Sequence, residues 1–484
     1  MIKYNISFTN TITFKGLDIK KILQLLILLF TTITFSSNLA TNSVVKIYTA
    51  ASIPNYTYPW QTSRIIKFTG SGVVISDNRI ITSAHVVSNA KFIEVKKENE
   101  HKKYIATVKY ISHQADLAIL EIKDKTFFKN VQPLILTSSI RARDEVTVLG
   151  YPIGGNNIST TTGIVSRIEY RSYVWSKFNL LAIQIDAAIN SGNSGGAVIN
   201  NKNELVGIAM MRISKASNIG YIVPSTVLQY FLDDTKDGIV NGYHQDSFYA
   251  QKMNNQALKD YYSLNKRTGI LVTHVGIKEE SLKANDIILS IDNIDISNEG
   301  TIKTEYGNVS YSMAFHSKQI GETVSLKVLR DKKEQTINFR LTKYRSLISH
   351  EFEKEPRYII YGGLTFTPLT SNYLSKLSSS SGMNMLFYQK SRTEDYTEPV
   401  VSLSTIFPNK VNRGYQQGSY ILTKVNDIKI KNFEHLIKVL DAVNDKFTVF
   451  EYLEKKKFIL NTQEAKESIK SIMKTYNMKS DRRE

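Results

Sequence analysis

Short apolar, β-prone runs separated by turn residues fill the first half of the chain. Ser43-Val44-Val45-Lys46-Ile47-Tyr48 is one such run. Gly72-Val73-Val74-Ile75-Ser76 and Arg79-Ile80-Ile81-Thr82 flank Asp77-Asn78, a pair suited to a tight hairpin turn. Residues 105–111, 117–122, 146–149, 183–186 and 205–209 continue the series. Many short strands at this spacing predict an all-β barrel or sandwich from Ser43 to about Tyr230. The pattern then changes. Ser225 stands as a helix cap before residues 226–232, and the polar stretch 233–246, with Gly238 and Gly242, reads as a linker.

The second half contains an internal repeat. Asp286-Ile287-Ile288-Leu289-Ser290-Ile291-Asp292-Asn293-Ile294-Asp295-Ile296 resembles Tyr420-Ile421-Leu422-Thr423-Lys424-Val425-Asn426-Asp427-Ile428-Lys429-Ile430. Each copy is a strand, a tight turn and a short strand. Each follows an apolar strand that begins at glycine, Gly269-Ile270-Leu271-Val272-Thr273 and Gly363-Leu364-Thr365-Phe366. Two copies far apart indicate two related domains rather than a solenoid. A polar, helix-like tail follows Lys455-Lys456-Lys457.

At the N-terminus Lys20-Lys21 precede the apolar run 22–35 and the small polar segment Ser36-Ser37-Asn38-Leu39-Ala40. That is the layout of a secretory signal, and the run is shorter than the roughly 20 residues of a membrane span. The expectation is export across a membrane, periplasmic in a bacterium, with an uncleaved anchor at residues 22–35 as the alternative.

Composition narrows the function. With 484 residues the chain is too long for one core and should form several domains. At 42% hydrophobic and 22% charged it is globular rather than disordered. The absence of cysteine excludes disulfides, a thiol nucleophile and cysteine-ligated metal. The net charge of +18 comes from scattered Lys and Arg without an aromatic-interleaved stripe, so no nucleic-acid interface is read from it.

Gly192-Asn193-Ser194-Gly195-Gly196 is the most specific signal. A serine hydroxyl needs a base to take its proton and donors to stabilise the oxyanion. Glycines permit a tight turn that aims the amides of Gly192, Asn193 and Ser194 at one point. Thr82-Ser83-Ala84-His85-Val86 places a histidine after one apolar strand, and Ala115-Asp116-Leu117-Ala118 an aspartate at the head of another. Their order, His, Asp, Ser, suits a base, an orienting carboxylate and a nucleophile brought together by folding. His85, Asp116 and Ser194 are the expected triad, and its chemistry needs no metal or cofactor.

Residues 43 to about 232 resemble the protease domain of the HtrA/Deg family. The resemblance rests on Gly70-Ser71-Gly72, Ser83-Ala84-His85, Ala115-Asp116-Leu117-Ala118, Gly150-Tyr151-Pro152, Asn190-Ser191-Gly192-Asn193-Ser194-Gly195-Gly196-Ala197-Val198 and Gly220-Tyr221-Ile222-Val223-Pro224-Ser225. Asn285-Asp286-Ile287-Ile288-Leu289-Ser290-Ile291-Asp292 and Gly321-Glu322-Thr323-Val324 are similar to the first PDZ domain of the plant-type Deg proteases. Tyr361-Gly362-Gly363-Leu364-Thr365-Phe366 and Asn412-Arg413-Gly414-Tyr415 are similar to their second. The resemblance implies an all-β-dominated chain: a chymotrypsin-like double β-barrel followed by two PDZ-like α+β domains. It divides the chain into a signal or anchor at 1–40, a protease domain at 41–245, PDZ-like domains at 250–345 and 355–470, and a polar tail at 471–484.

The family further implies ATP-independent cleavage of unfolded or damaged proteins by a homo-oligomer, a trimer or a multiple of trimers. By the same analogy Ala188, Ile189, Ile208 and Met210 line the primary pocket, selecting small or medium aliphatic residues. The loop Gly269-Ile270-Leu271 is the expected site for peptide C-termini in the first PDZ-like domain. Two other readings fit the sequence: a chaperone or scaffold with a misaligned triad, and a PDZ-based peptide-binding adaptor.

Overall fold

The computed structural model describes residues 40–61, 64–212, 219–244, 248–276, 281–343, 348–377, 401–453 and 455–484. The N-terminal apolar run lies outside them. Among the described residues no helix is long and apolar enough to cross a membrane.

Twelve strands form two closed barrels. The first contains β1 (Val44–Ser52), β2 (Ile65–Ile75), β3 (Arg79–Thr82), β4 (Ala90–Lys97), β5 (Lys103–Ser112) and β6 (Leu117–Ile122), in the order β1-β2-β3-β6-β5-β4. The second contains β7 (Glu145–Gly150), β8 (Ser159–Ser172), β9 (Asn179–Ile185), β10 (Ala197–Ile199), β11 (Leu205–Arg212) and β12 (Gly220–Pro224). Its order, β7-β8-β9-β12-β11-β10, repeats the first. The expected double barrel is therefore present, and closure removes every open sheet edge from this half.

The hairpin at Asp77-Asn78 forms as the pair suggests. Both residues have left-handed backbones, with φ of 61° and 54°, as a two-residue hairpin turn requires. The charged β4 and the polar, half-exposed β8 carried too little apolar contrast to be read as strands.

Each barrel has its own core. Val45, Ile47, Ile80, Val95 and Leu120 fill the first, and Val148, Ile183, Ile185, Val198 and Val206 the second. A third cluster spans the seam, joining Val73, Ile81 and Leu117 to Leu149, Tyr151 and Ile208. The helix Ser225–Asp234 adds Leu228 and Phe231 to this seam. Ser225 is its first residue rather than its cap; the Ser225 hydroxyl donates to the Thr137 carbonyl instead.

The first PDZ-like unit contains β13 (Phe248–Lys252), β14 (Ile270–Val275), β15 (Ile287–Ile291), β16 (Ile294–Asp295), β17 (Thr301–Thr304), β18 (Gly307–Ser310), β19 (Thr323–Arg330) and β20 (Lys333–Arg340). Its main sheet runs β13-β14-β15-β19-β20. The second unit contains β21 (Tyr358–Tyr361), β22 (Leu364–Pro368), β23 (Val401–Ile406), β24 (Tyr420–Val425), β25 (Ile428–Lys429), β26 (Phe447–Tyr452), β27 (Lys457–Asn461) and β28 (Arg482–Arg483). The internal repeat falls on β15–β16 and β24–β25, each joined by a two-residue turn with positive φ.

The C-terminal segment is not a free tail. The helix Thr462–Thr475 buries Ala465 and Ile472, and β28 pairs with β21 as an edge strand of the second unit's sheet. The aromatic loop after β1 also packs within the chain. Trp60 meets Phe407 of the second unit at 4.7 Å between ring centroids, and Tyr56 packs with Leu369 and Tyr373.

Candidate active site

The buried strand β3 delivers the chain to Ser83, where it turns into the short helix Ala84–Val87. Ser83 makes no side-chain cap for this helix. Asp116 does the capping from a distance: the Ala84 N–H donates to its carbonyl at 3.0 Å and the His85 N–H to its Oδ1 at 2.9 Å. Asp116 is 1% exposed and adopts a left-handed backbone, φ 54°, at the head of β6. An aspartate tolerates that conformation better than most residues.

The same carboxylate takes the His85 imidazole, with Nδ1 2.7 Å from Oδ2 and 3.0 Å from Oδ1. Burial pushes the His85 pKa down, but the Asp116 charge and hydrogen bond outweigh it, so the imidazole sits above its ordinary 6.5.

Ser194 arrives from the other barrel, on the loop between β9 and β10. Asn190 O accepts the Asn193 N–H at 3.0 Å, closing a four-residue turn. Gly192 occupies its third place with φ 100°, as a type II turn demands. A Cβ on Gly192 would lie 2.5 Å from the Tyr151 carbonyl oxygen and 2.6 Å from the Ile153 nitrogen, so only glycine fits. The buried Ser71 hydroxyl donates to the Gly192 carbonyl at 2.8 Å and fixes the orientation of that peptide. The Ser71 N–H donates to the Ser194 carbonyl at 2.9 Å. Nothing in the pattern around Gly70-Ser71-Gly72 announced this brace.

The turn revises one expectation. The Asn193 amide is spent on the Asn190 carbonyl, so it is not an available oxyanion donor in this conformation. Among the described residues no hydrogen bond engages the Gly192 or Ser194 amides. The Ser194 hydroxyl donates to the Met210 carbonyl at 3.1 Å, and no hydrogen bond links it to His85.

The expected pocket residues separate. Ala188 is exposed, with its carbonyl held by Thr161 Oγ1 at 2.8 Å. Ile208 is fully buried in the seam and cannot wall an open pocket; Ile189 and Met210 are only 4% and 3% exposed. Among the described residues no cluster of His, Asp and Glu is arranged to hold a metal ion.

Residues 70–208 match the model of the trypsin-like peptidase domain, and residues 347–484 that of a PDZ domain. Over 452 residues the chain is 33% identical to chloroplastic Protease Do-like 2 of Arabidopsis thaliana, covering 91% of this chain and 74% of that protein. It belongs to the HtrA/Deg family of serine proteases.

It is likewise 37% identical over 457 residues to Putative protease Do-like 3, mitochondrial, from the same plant, covering 92% of this chain and 80% of the relative. Among solved structures the HtrA-type protease AlgW with decapeptide aligns at 23% identity and a TM-score of 0.50. That match covers 64% of this chain and 98% of AlgW, and shows a shared fold. The HtrA/Deg chain described here is thus a serine endopeptidase with PDZ domains.

The expected peptide loop of its first PDZ module needs correction. Gly269 donates its N–H to Asn298 Oδ1 at 3.1 Å. Ile270 and Leu271 lie in β14, which is paired with β13 on one side and β15 on the other. A strand paired on both sides offers no edge to an added peptide. The outer strand on that side of the sheet is β13.

Proposed function

We propose that His85, Asp116 and Ser194 are the catalytic triad of an ATP-independent endopeptidase that cleaves unfolded or damaged proteins. The observation that carries this reading is the buried carboxylate at 2.7 Å from the His85 Nδ1. It holds the tautomer whose Nε2 is free to act as base and stabilises the imidazolium that forms. For reaction the Ser194 hydroxyl must leave the Met210 carbonyl and turn to His85. His85 then takes the proton as Ser194 attacks the scissile carbonyl. The oxyanion forms against the Gly192 and Ser194 amides, and water hydrolyses the acyl-enzyme with His85 again as base.

Two features bear on specificity. Alanine at 188 supplies no charge to select a basic side chain, and cleavage after small or medium aliphatic residues is proposed by family analogy alone. Peptide C-termini are proposed to add to the first PDZ module along β13. As in the family, trimers or their multiples are the proposed assembly. Residues 1–40 are proposed to carry the chain across a membrane, into a periplasm or an organelle.

The test is digestion of unfolded casein by the full chain beside Ser194→Ala. Wild type should degrade casein without ATP and Ser194→Ala should not. Casein left equally intact by both, even on heating, favours a chaperone with its hydroxyl parked on Met210.

A further inference from the structure

Asp116 closes a tight turn that begins at His113, with its N–H on the His113 carbonyl at 3.3 Å. Side chains and backbone from three other segments hold that turn. From the β8–β9 loop, Trp175 donates its indole N–H to His113 Nδ1 at 3.4 Å, and the Ser176 hydroxyl donates to the Gln114 carbonyl at 2.9 Å. From the segment leading into the first PDZ module, the Tyr243 N–H donates to Gln114 Oε1 at 2.8 Å. From the segment leaving that module, the Phe352 ring stacks on His113 at 3.8 Å, nearly parallel at 6°.

The residue after Phe352 reaches the other half of the pair. The Glu353 carboxylate accepts the Ser88 hydroxyl and the Asn89 N–H, both at 2.7 Å. Ser88 is the C-cap of the helix that carries His85. Asn89 and Glu353 both adopt left-handed backbones, φ 57° and 59°, which the surrounding contacts must hold in place. Between the two halves stands Trp175, its ring 6.1 Å from both His85 and Phe352. Burial, with His350 adding to it, lowers the His113 pKa to about 4, so a neutral imidazole accepts the Trp175 N–H.

We infer that the two segments flanking the first PDZ module, through Tyr243 on Gln114 and through Phe352 and Glu353 on His113 and Ser88, position the His85–Asp116 pair. None of these residues touches the reacting atoms; they are positioning residues. The inference rests on the triad reading above. Its physical basis is that both ends of the module are fastened to the aspartate turn. A pull on either end moves the carboxylate that orients the base, and reacting groups tolerate little displacement.

The test uses the full chain, with kcat and KM on fluorescein-labelled casein and the rate of labelling by a fluorophosphonate. Phe352→Ala and Glu353→Gln should each lower kcat about tenfold, the scale of a sub-ångström misplacement, with KM changed less than about twofold. Fluorophosphonate labelling should slow in step. Phe352→Tyr, which keeps the flat ring, should restore wild-type kcat. Should Phe352→Ala fail to fold, Glu353→Gln and Phe352→Leu carry the decision. Variants with wild-type kcat, a loss carried in KM, or a Phe352→Tyr no better than Phe352→Ala would each overturn the inference. A wild-type chain that neither cleaves casein nor labels defeats the triad reading first, and the inference with it.

Discussion

Two backbone conformations hold the chemistry at the residue scale. Gly192 has its positive φ because a type II turn needs it, and the Tyr151 carbonyl leaves no room for a Cβ. Gly192→Ala should therefore lose about a hundredfold to a thousandfold in kcat, the usual effect of removing one oxyanion donor. Steady-state rates on casein measure this, and near-wild-type kcat would show that the turn is not the oxyanion site. Asp116 adopts its own left-handed conformation under the helix of His85, and the shift it imposes has a sign. As the proposed base His85 works only when neutral, and its pKa is raised above 6.5. Activity should rise with pH through a midpoint above 6.5 and fall away below it. The same shift adds folding stability that is fully present below pH 6.5 and lost as pH rises through the folded value. A pH profile of kcat/KM checks the first part; an acid limb centred well below 6.5 would contradict it. The sequence flanks singled out His85 and Asp116, which the fold brings to 2.7 Å. Ser71 was not legible, because a serine between two glycines in a strand looks like ordinary turn chemistry. Only the docking of the second barrel shows what its hydroxyl holds.

At the scale of elements, period and turn chemistry made most strands readable. The hairpin at Asp77-Asn78 and the repeated turns at Asp292-Asn293 and Asn426-Asp427 were visible because few residues accept φ > 0. Strands with weak apolar contrast, β4 and β8, were not, since tertiary pairing decides them rather than local pattern. Pairing partners were also hidden. Nothing in Gly269-Ile270-Leu271 showed that β14 would be enclosed on both sides, and nothing after residue 470 that a two-residue strand would pair with β21. The two PDZ modules differ at their strand entrances. Asp286, 1% exposed, takes a bidentate bond from Arg330, Nε to Oδ1 at 2.7 Å and Nη2 to Oδ2 at 2.6 Å. The repeat has Tyr420 in the corresponding place. Arg330→Met would strand a buried carboxylate and should cost about 3–5 kcal/mol in the first module. Urea denaturation followed by hydrogen exchange on β15 and β19 measures it, and an unchanged midpoint would show that the pair is not a structural requirement.

The whole molecule is organised around a seam. One barrel carries His85 and Asp116, the proposed base and carboxylate, the other carries Ser194, the proposed nucleophile, with its glycine turn, and the shared cluster from Val73 to Ile208 holds the barrels together. Both PDZ modules reach back to the first barrel. The first does so through Tyr243 and Phe352 at its two ends, the second through Trp60 and Phe407. The repeated strand order of the barrels left no trace in the sequence, because topology is set by pairing and not by residue identity. Nor did the sequence tell that Ser194 would rest on the Met210 carbonyl. The decisive measurement is the rate at which a fluorophosphonate modifies the full chain, with the labelled peptide identified by mass. Labelling should fall on Ser194 and slow by about a thousandfold or more in His85→Ala, as for loss of a triad base. Labelling that proceeds equally well without His85, or that fails on wild type in the presence of unfolded casein, would contradict an activated serine.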